Sequence, residues 1–161
     1  MNRRALLALG LLFVALRLLL VLSAADRIHP PDWAEAKHSF VGDRWIEEGA
    51  PPLSEVLTAA REPRNAAHGG FLLLSGLYAV LSVPLGASDN QLALKLCAIA
   101  FACLGFLSWT AVATRLGGRR AGWAAALLLL IPPPIYLAST LVTWGSHAEA
   151  GSLLGLATLL L

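Results

Sequence analysis

Apolar residues fall along this chain in long blocks. Residues 65–88, 96–114 and 121–148 contain no Asp, Glu, Lys or Arg, and residues 5–23 contain only Arg17. A membrane-crossing helix needs about 20 apolar residues, whereas a barrel strand is about 10 long and alternates in polarity. These blocks do not alternate, and Leu, Ala and Gly dominate them, so the pattern predicts transmembrane helices. Across residues 32–48 the pattern changes. There the apolar Trp33, Ala36, Phe40, Val41 and Trp45 recur every three or four positions, with Glu35, Lys37, His38, Asp43 and Glu47 largely between them. That spacing predicts an amphipathic helix, entered through Pro30-Pro31 and ended by Gly49 and Pro51-Pro52. Trp and Phe on its apolar side suit the headgroup boundary.

Basic residues order the blocks across a bilayer. Arg3 and Arg4 precede the first block, and Arg115, Arg119 and Arg120 separate the third from the fourth. Both clusters belong on the cytoplasmic side by the positive-inside rule, so an even number of crossings separates them. Three apolar segments lie between, and the weakest is residues 69–85, near the lower limit for a span and loosened by Gly69, Gly70 and Gly76. It is read as a helix in the outer interface; a full crossing would break the charge rule. The expected map is a first span at 5–24, an external region at 25–90 with juxtamembrane helices at about 31–48 and 69–85, and a second span at 91–114. A cytoplasmic turn at 115–120, a third span at 121–138, an external loop at 139–147 and the start of a fourth span at 148–161 complete it. The first block also resembles a signal peptide, with Ser23-Ala24-Ala25 as a cleavage site, but a retained helix is favoured because the block is long for a signal core. Arg17 in its outer third is expected to snorkel. The apolar run at the C-terminus is too short to finish a span, so the chain reads as a piece of a longer one.

Composition sharpens this. The 161 residues are 57% hydrophobic and 14% charged, against about 25% charged for a soluble domain. The fold class is an all-α, polytopic membrane protein with an external amphipathic juxtamembrane helix. A net charge of +2 says little about partners, and the basic residues do not form a patch of the kind that binds nucleic acid, so none is expected. Cys97 and Cys103 lie six apart on different faces of one predicted helix and read as small hydrophobes.

Eight of the ten carboxylates and three of the four histidines lie within residues 26–68, all on the external side of this map. Asp32 starts the amphipathic helix, where the helix dipole favours an ionised carboxylate that serves as base, ligand or simply as a stabiliser of the helix start. Glu35 lies one turn on. Arg61, Arg64 and His68 converge on the entrance to the interfacial segment, where they suit either a phosphate group or anionic headgroups. Near the other end, His147 and Glu149 fall where a helix re-enters the membrane, and Glu149 is suited to substrate contact or to pairing with Arg17. No zinc spacing, phosphate loop or nucleophile elbow appears. No cofactor is evident, and two carboxylates without further oxygen ligands do not define a divalent-metal site.

Taken in order, Arg17, then His29-Pro30-Pro31-Asp32-Trp33-Ala34-Glu35, Arg44-Trp45-Ile46-Glu47-Glu48-Gly49 and His68-Gly69-Gly70 carry a resemblance that continues through the Arg115 to Gly122 turn, Pro132-Pro133-Pro134 and Gly145-Ser146-His147-Ala148-Glu149. The pattern resembles the N-terminal part of the GT-C membrane glycosyltransferases, especially the bacterial relatives of protein O-mannosyltransferases and lipid A aminoarabinose transferases. The resemblance implies an incomplete GT-C module. It implies transfer of a sugar from a polyprenyl-phosphate donor to an acceptor of unspecified kind, at the outward face of a bacterial inner membrane. Asp32 matches an acidic residue near the reacting centre and Glu149 a second one, while Arg61, Arg64, His68 and His147 would contact substrate. Many relatives have an adjacent Asp-Glu pair; here Trp33 follows Asp32. The rival reading is a non-catalytic membrane subunit or transporter fragment whose external loop only packs against a partner.

Overall fold

The computed structural model describes residues 2–24, 45–49, 71–85, 91–141 and 147–161, and all regular structure among them is helical. Helix α1 spans Arg3–Ala24, α2 Phe71–Leu85, α3 Gln91–Leu130, α4 Pro134–Ser139 and α5 His147–Leu160. A helical turn at 45–48 precedes α2, and the Trp45 ring lies against Gly76. Of the juxtamembrane helix expected at 31–48, only that turn lies within the described residues.

Helix α3 is two helices joined at Gly118, whose φ of 75° and ψ of −173° lie in a region open essentially to glycine alone. In an unbroken helix residues 114 and 122 would be about 12 Å apart. Instead, a Cβ added to Gly122 would overlap the Thr114 side chain, and one added to Gly117 would come within 2.6 Å of Ala121 Cβ. The chain therefore folds back on itself, and the six-residue turn expected at 115–120 is a reversal at one glycine. The two arms close on a shared core in which Phe106 of the first packs with Ala126 and Leu130 of the second.

Helix α3 is the hub against which α1, α2 and α5 pack. Along α1, Gly10 meets Leu107, the Phe13 ring lies 4.8 Å from that of Phe106, and Val21 clusters with Ile99 and Leu141. Rising numbers on α1 meet falling numbers on the first arm, so the two are antiparallel. Along α5, Ser152 meets Phe101 and Gly105, Gly155 meets Ser108, and Arg115 donates to the Leu159 carbonyl, so α5 runs parallel to the first arm. One end of the bundle thus gathers the exposed Arg4, Arg115, Arg119 and Arg120, and the opposite end receives the start of α5.

Among the described residues two stretches are long and apolar enough to cross a membrane, Arg4–Ser23 and, within Leu92–Leu130, the arm that precedes Gly118. Leu7, Leu11, Leu22, Leu128 and Leu160 stand exposed on the outer faces of α1, α3 and α5, as lipid-facing side chains would. Where the sequence suggested one helix over 121–138, the structure has two pieces, because Ile131, Pro132 and Pro133 interrupt it before α4. A proline cannot donate to the carbonyl one turn back, and its ring clashes there. Helix α2 packs Leu77, Tyr78 and Leu81 over Ala93, Leu94, Cys97 and Phe101 near the start of α3. Cys97 lies under α2 and Cys103 packs with the Phe106 cluster on another face, and the two form no disulfide.

Candidate functional site

Asp32, Glu35, Arg61, Arg64 and His68 lie outside the described residues. His147 and Glu149 form the first turn of α5, and the packing of Ser152 against Phe101 and Gly105 sets their height in the bundle. They stand at the end away from the arginine-rich turn. Among the described residues no three His, Cys, Asp or Glu groups converge on a point where a metal could bind.

The described polar chemistry centres instead on Arg17. Its side chain is only 1% exposed, so it does not snorkel as the sequence suggested. Snorkelling fails because Arg17 sits on the face of α1 that packs against α3, and partners are supplied inside the bundle. Nη1 donates to the Leu130 carbonyl at 2.8 Å, Nη2 to the Leu129 carbonyl at 3.2 Å and Nε to Thr140 Oγ1 at 3.4 Å. The guanidinium also lies 4.0 Å from the centre of the Phe13 ring, where the ring face attracts a cation. Thr140 Oγ1 in turn donates to the Leu137 carbonyl at 2.7 Å. All three guanidinium nitrogens are thereby engaged by α3 and Thr140.

Beside Arg17 lies a cleft of about 320 Å³. Phe13, Phe106, Trp109, Leu129, Pro133 and Tyr136 form much of its wall, between both arms of α3, α4 and α5. Two of its hydroxyls are committed elsewhere, since Ser152 Oγ donates to the Phe101 carbonyl and Thr140 Oγ1 to that of Leu137. Trp109 Nε1 donates to the Gly151 carbonyl at 3.0 Å, which ties the first arm to α5 at the cleft's edge. Such a wall is mostly apolar and can hold hydrocarbon.

Lys95 was passed over by sequence reasoning. It is 2% exposed, one turn into α3 at the same end of the bundle as His147 and Glu149. The available signal was a lone lysine between charge-free runs, at a position where a cation is costly unless partnered.

No family model, no curated protein and no solved structure matches this chain.

Proposed function

We propose that the chain is the N-terminal portion of an integral membrane glycosyltransferase that moves a sugar from a polyprenyl-phosphate donor to an acceptor on the external face. The observation that supports this reading best is the polarity of the bundle. The arginines at 4, 115, 119 and 120 share one end, and the turn bearing His147 and Glu149 starts at the other. With the arginine end in the cytoplasm, the His147 and Glu149 turn faces outward, together with the segment that carries Asp32. A lipid-linked donor keeps its tail in hydrocarbon and its phosphate at the interface, so reactive groups belong at that level. Asp32 takes or orients the acceptor's proton, with Glu149 as its partner. Glu35 is the weaker third carboxylate, and Arg61, Arg64, His68 and His147 hold the substrate and its leaving phosphate. The apolar cleft beside Phe13 and Tyr136 accepts part of the isoprenoid tail.

The reading is tested by incubating membranes containing the full protein with a polyprenyl-phosphate sugar and following transfer. Glu149→Gln is expected to lower turnover at least tenfold with the protein still inserted. Correct insertion with no transfer from any donor would favour the non-catalytic subunit. Sidedness is tested separately with Leu116→Cys, at an 82% exposed position beside the reversal. A membrane-impermeant maleimide is expected to label it only after the cytoplasmic face is opened; labelling from outside on intact cells overturns the orientation.

A further inference from the structure

The second arm of α3 stops inside the bundle. It runs from the reversal at Gly118 to Leu130, a length of about 18 Å, against about 30 Å for the hydrocarbon core. Its end lies level with Arg17, well short of the His147 and Glu149 end. Carbonyls that lack partners at such a depth are costly, because no water replaces the missing donor. The missing donors are specific. In a continuing helix the carbonyls of Leu128, Leu129 and Leu130 would accept from the backbone nitrogens of residues 132, 133 and 134. All three are prolines and none carries a hydrogen. The last helical bond of the arm is Ile131 N–H to the Leu127 carbonyl, at 3.1 Å. Two of the three orphaned acceptors, Leu129 and Leu130, are the two that the Arg17 guanidinium reaches. A planar fork with parallel donors suits two adjacent carbonyls at a helix end, where the negative pole of the dipole also favours a cation.

We infer that Arg17 and Pro132-Pro133-Pro134 act as one unit: the guanidinium supplies the helix donors that the prolines lack and so fixes where the chain leaves the second arm. Arg17 is then a positioning residue. Its Nε bond to Thr140 reaches past α4 and holds the far side of the same break, so the path from Leu130 to Leu141 is pinned at both ends. Leu141 is buried against Val21 and Ile99, next to the connection into α5. The consequence for His147 and Glu149 rests on the glycosyltransferase reading; the unit itself does not.

The experiment uses the whole chain in detergent and reads the thermal midpoint and thiol accessibility, neither of which depends on sugar transfer. Arg17→Met is expected to lower the midpoint by roughly 6 °C or more. Combined with Pro133→Ala and Pro134→Ala, which return N–H donors to Leu129 and Leu130, the same substitution is expected to cost less than half as much. Arg17→Lys, a point charge that reaches one carbonyl at a time, is expected to retain an intermediate midpoint. It carries the comparison if Arg17→Met does not fold. For position, Leu141→Cys is placed in a background with Cys97→Ala and Cys103→Ala. Maleimide is expected to label it slowly with Arg17 present and at least tenfold faster with Arg17→Met. An Arg17 penalty that is equal in the two proline backgrounds, or unchanged labelling of the position-141 thiol, overturns the inference.

Discussion

Replacing Asp32 by asparagine in the full protein is expected to lower sugar transfer by about 10²–10⁴-fold, the usual contribution of a true general base, while insertion into the membrane is unchanged. Asparagine keeps the size of the side chain and its ability to start a helix after Pro30-Pro31, so the local backbone has no reason to move. What it loses is the negative charge, and with it the capacity to take a proton. The comparison with Glu35→Gln separates the two neighbouring carboxylates. If Asp32 carries the chemistry, Glu35→Gln should cost clearly less. Transfer at the original rate with Asp32→Asn would remove Asp32 from the mechanism and return it to the role of helix starter.

A large loss of stability is expected on substitution of Gly155. A Cβ there would overlap Ser108 Oγ and lie 3.1 Å from Trp109 Nε1. Valine adds two methyl groups to that collision. It would push α5 off the first arm and stretch the Trp109 bond to the Gly151 carbonyl. Overpacking of this kind costs about 1–3 kcal/mol and occasionally more, and losing the indole bond adds about 1 kcal/mol. Thermal unfolding in detergent should show a clear drop for Gly155→Val, partly relieved by Ser108→Gly. Gly151→Ala is the control, because nothing lies within 4 Å of a Cβ at that position. It should be neutral or slightly stabilising, since alanine favours helix over glycine. Equal losses at the two glycines would mean that α5 does not pack on the first arm as described.

Those two glycines illustrate what was legible in the sequence. A four-residue spacing of glycines is a general signal for close helix packing, and the blocks of apolar residues gave the positions of α1, α2, α3 and α5. Spacing could not say that only Gly155 meets a neighbour, because that depends on how α5 is rotated against the first arm. Nor could hydropathy find the break at Ile131. Pro132 to Pro134 sit within an apolar run that continues past them, and the expected end of the span at 138 lies eight residues beyond the end of the arm at Leu130. Arg17 was visible as a charge in a greasy helix, and the simplest physics for such a charge is escape to the interface. Its actual partners are backbone carbonyls more than 110 residues away, which no residue-type pattern advertises. Counting proline positions against helical acceptors would have shown which carbonyls needed a donor. For the candidate site, the sequence nominated Asp32, Glu35, Arg61, Arg64 and His68, all outside the described residues, and only the His147 and Glu149 turn has a described place in the bundle.

The reversal at Gly118 also orders events in time. Thr114 and Gly122 touch across only eight residues, whereas the Arg17 bond to Leu130 closes a loop of 113. Loop closure alone makes the second contact about 2 kcal/mol less favourable in entropy, and slower to find. Loop closure thus favours the α3 hairpin over the docking of α1, and a chain in which Arg17 has not docked leaves the Leu129 and Leu130 carbonyls without its donors.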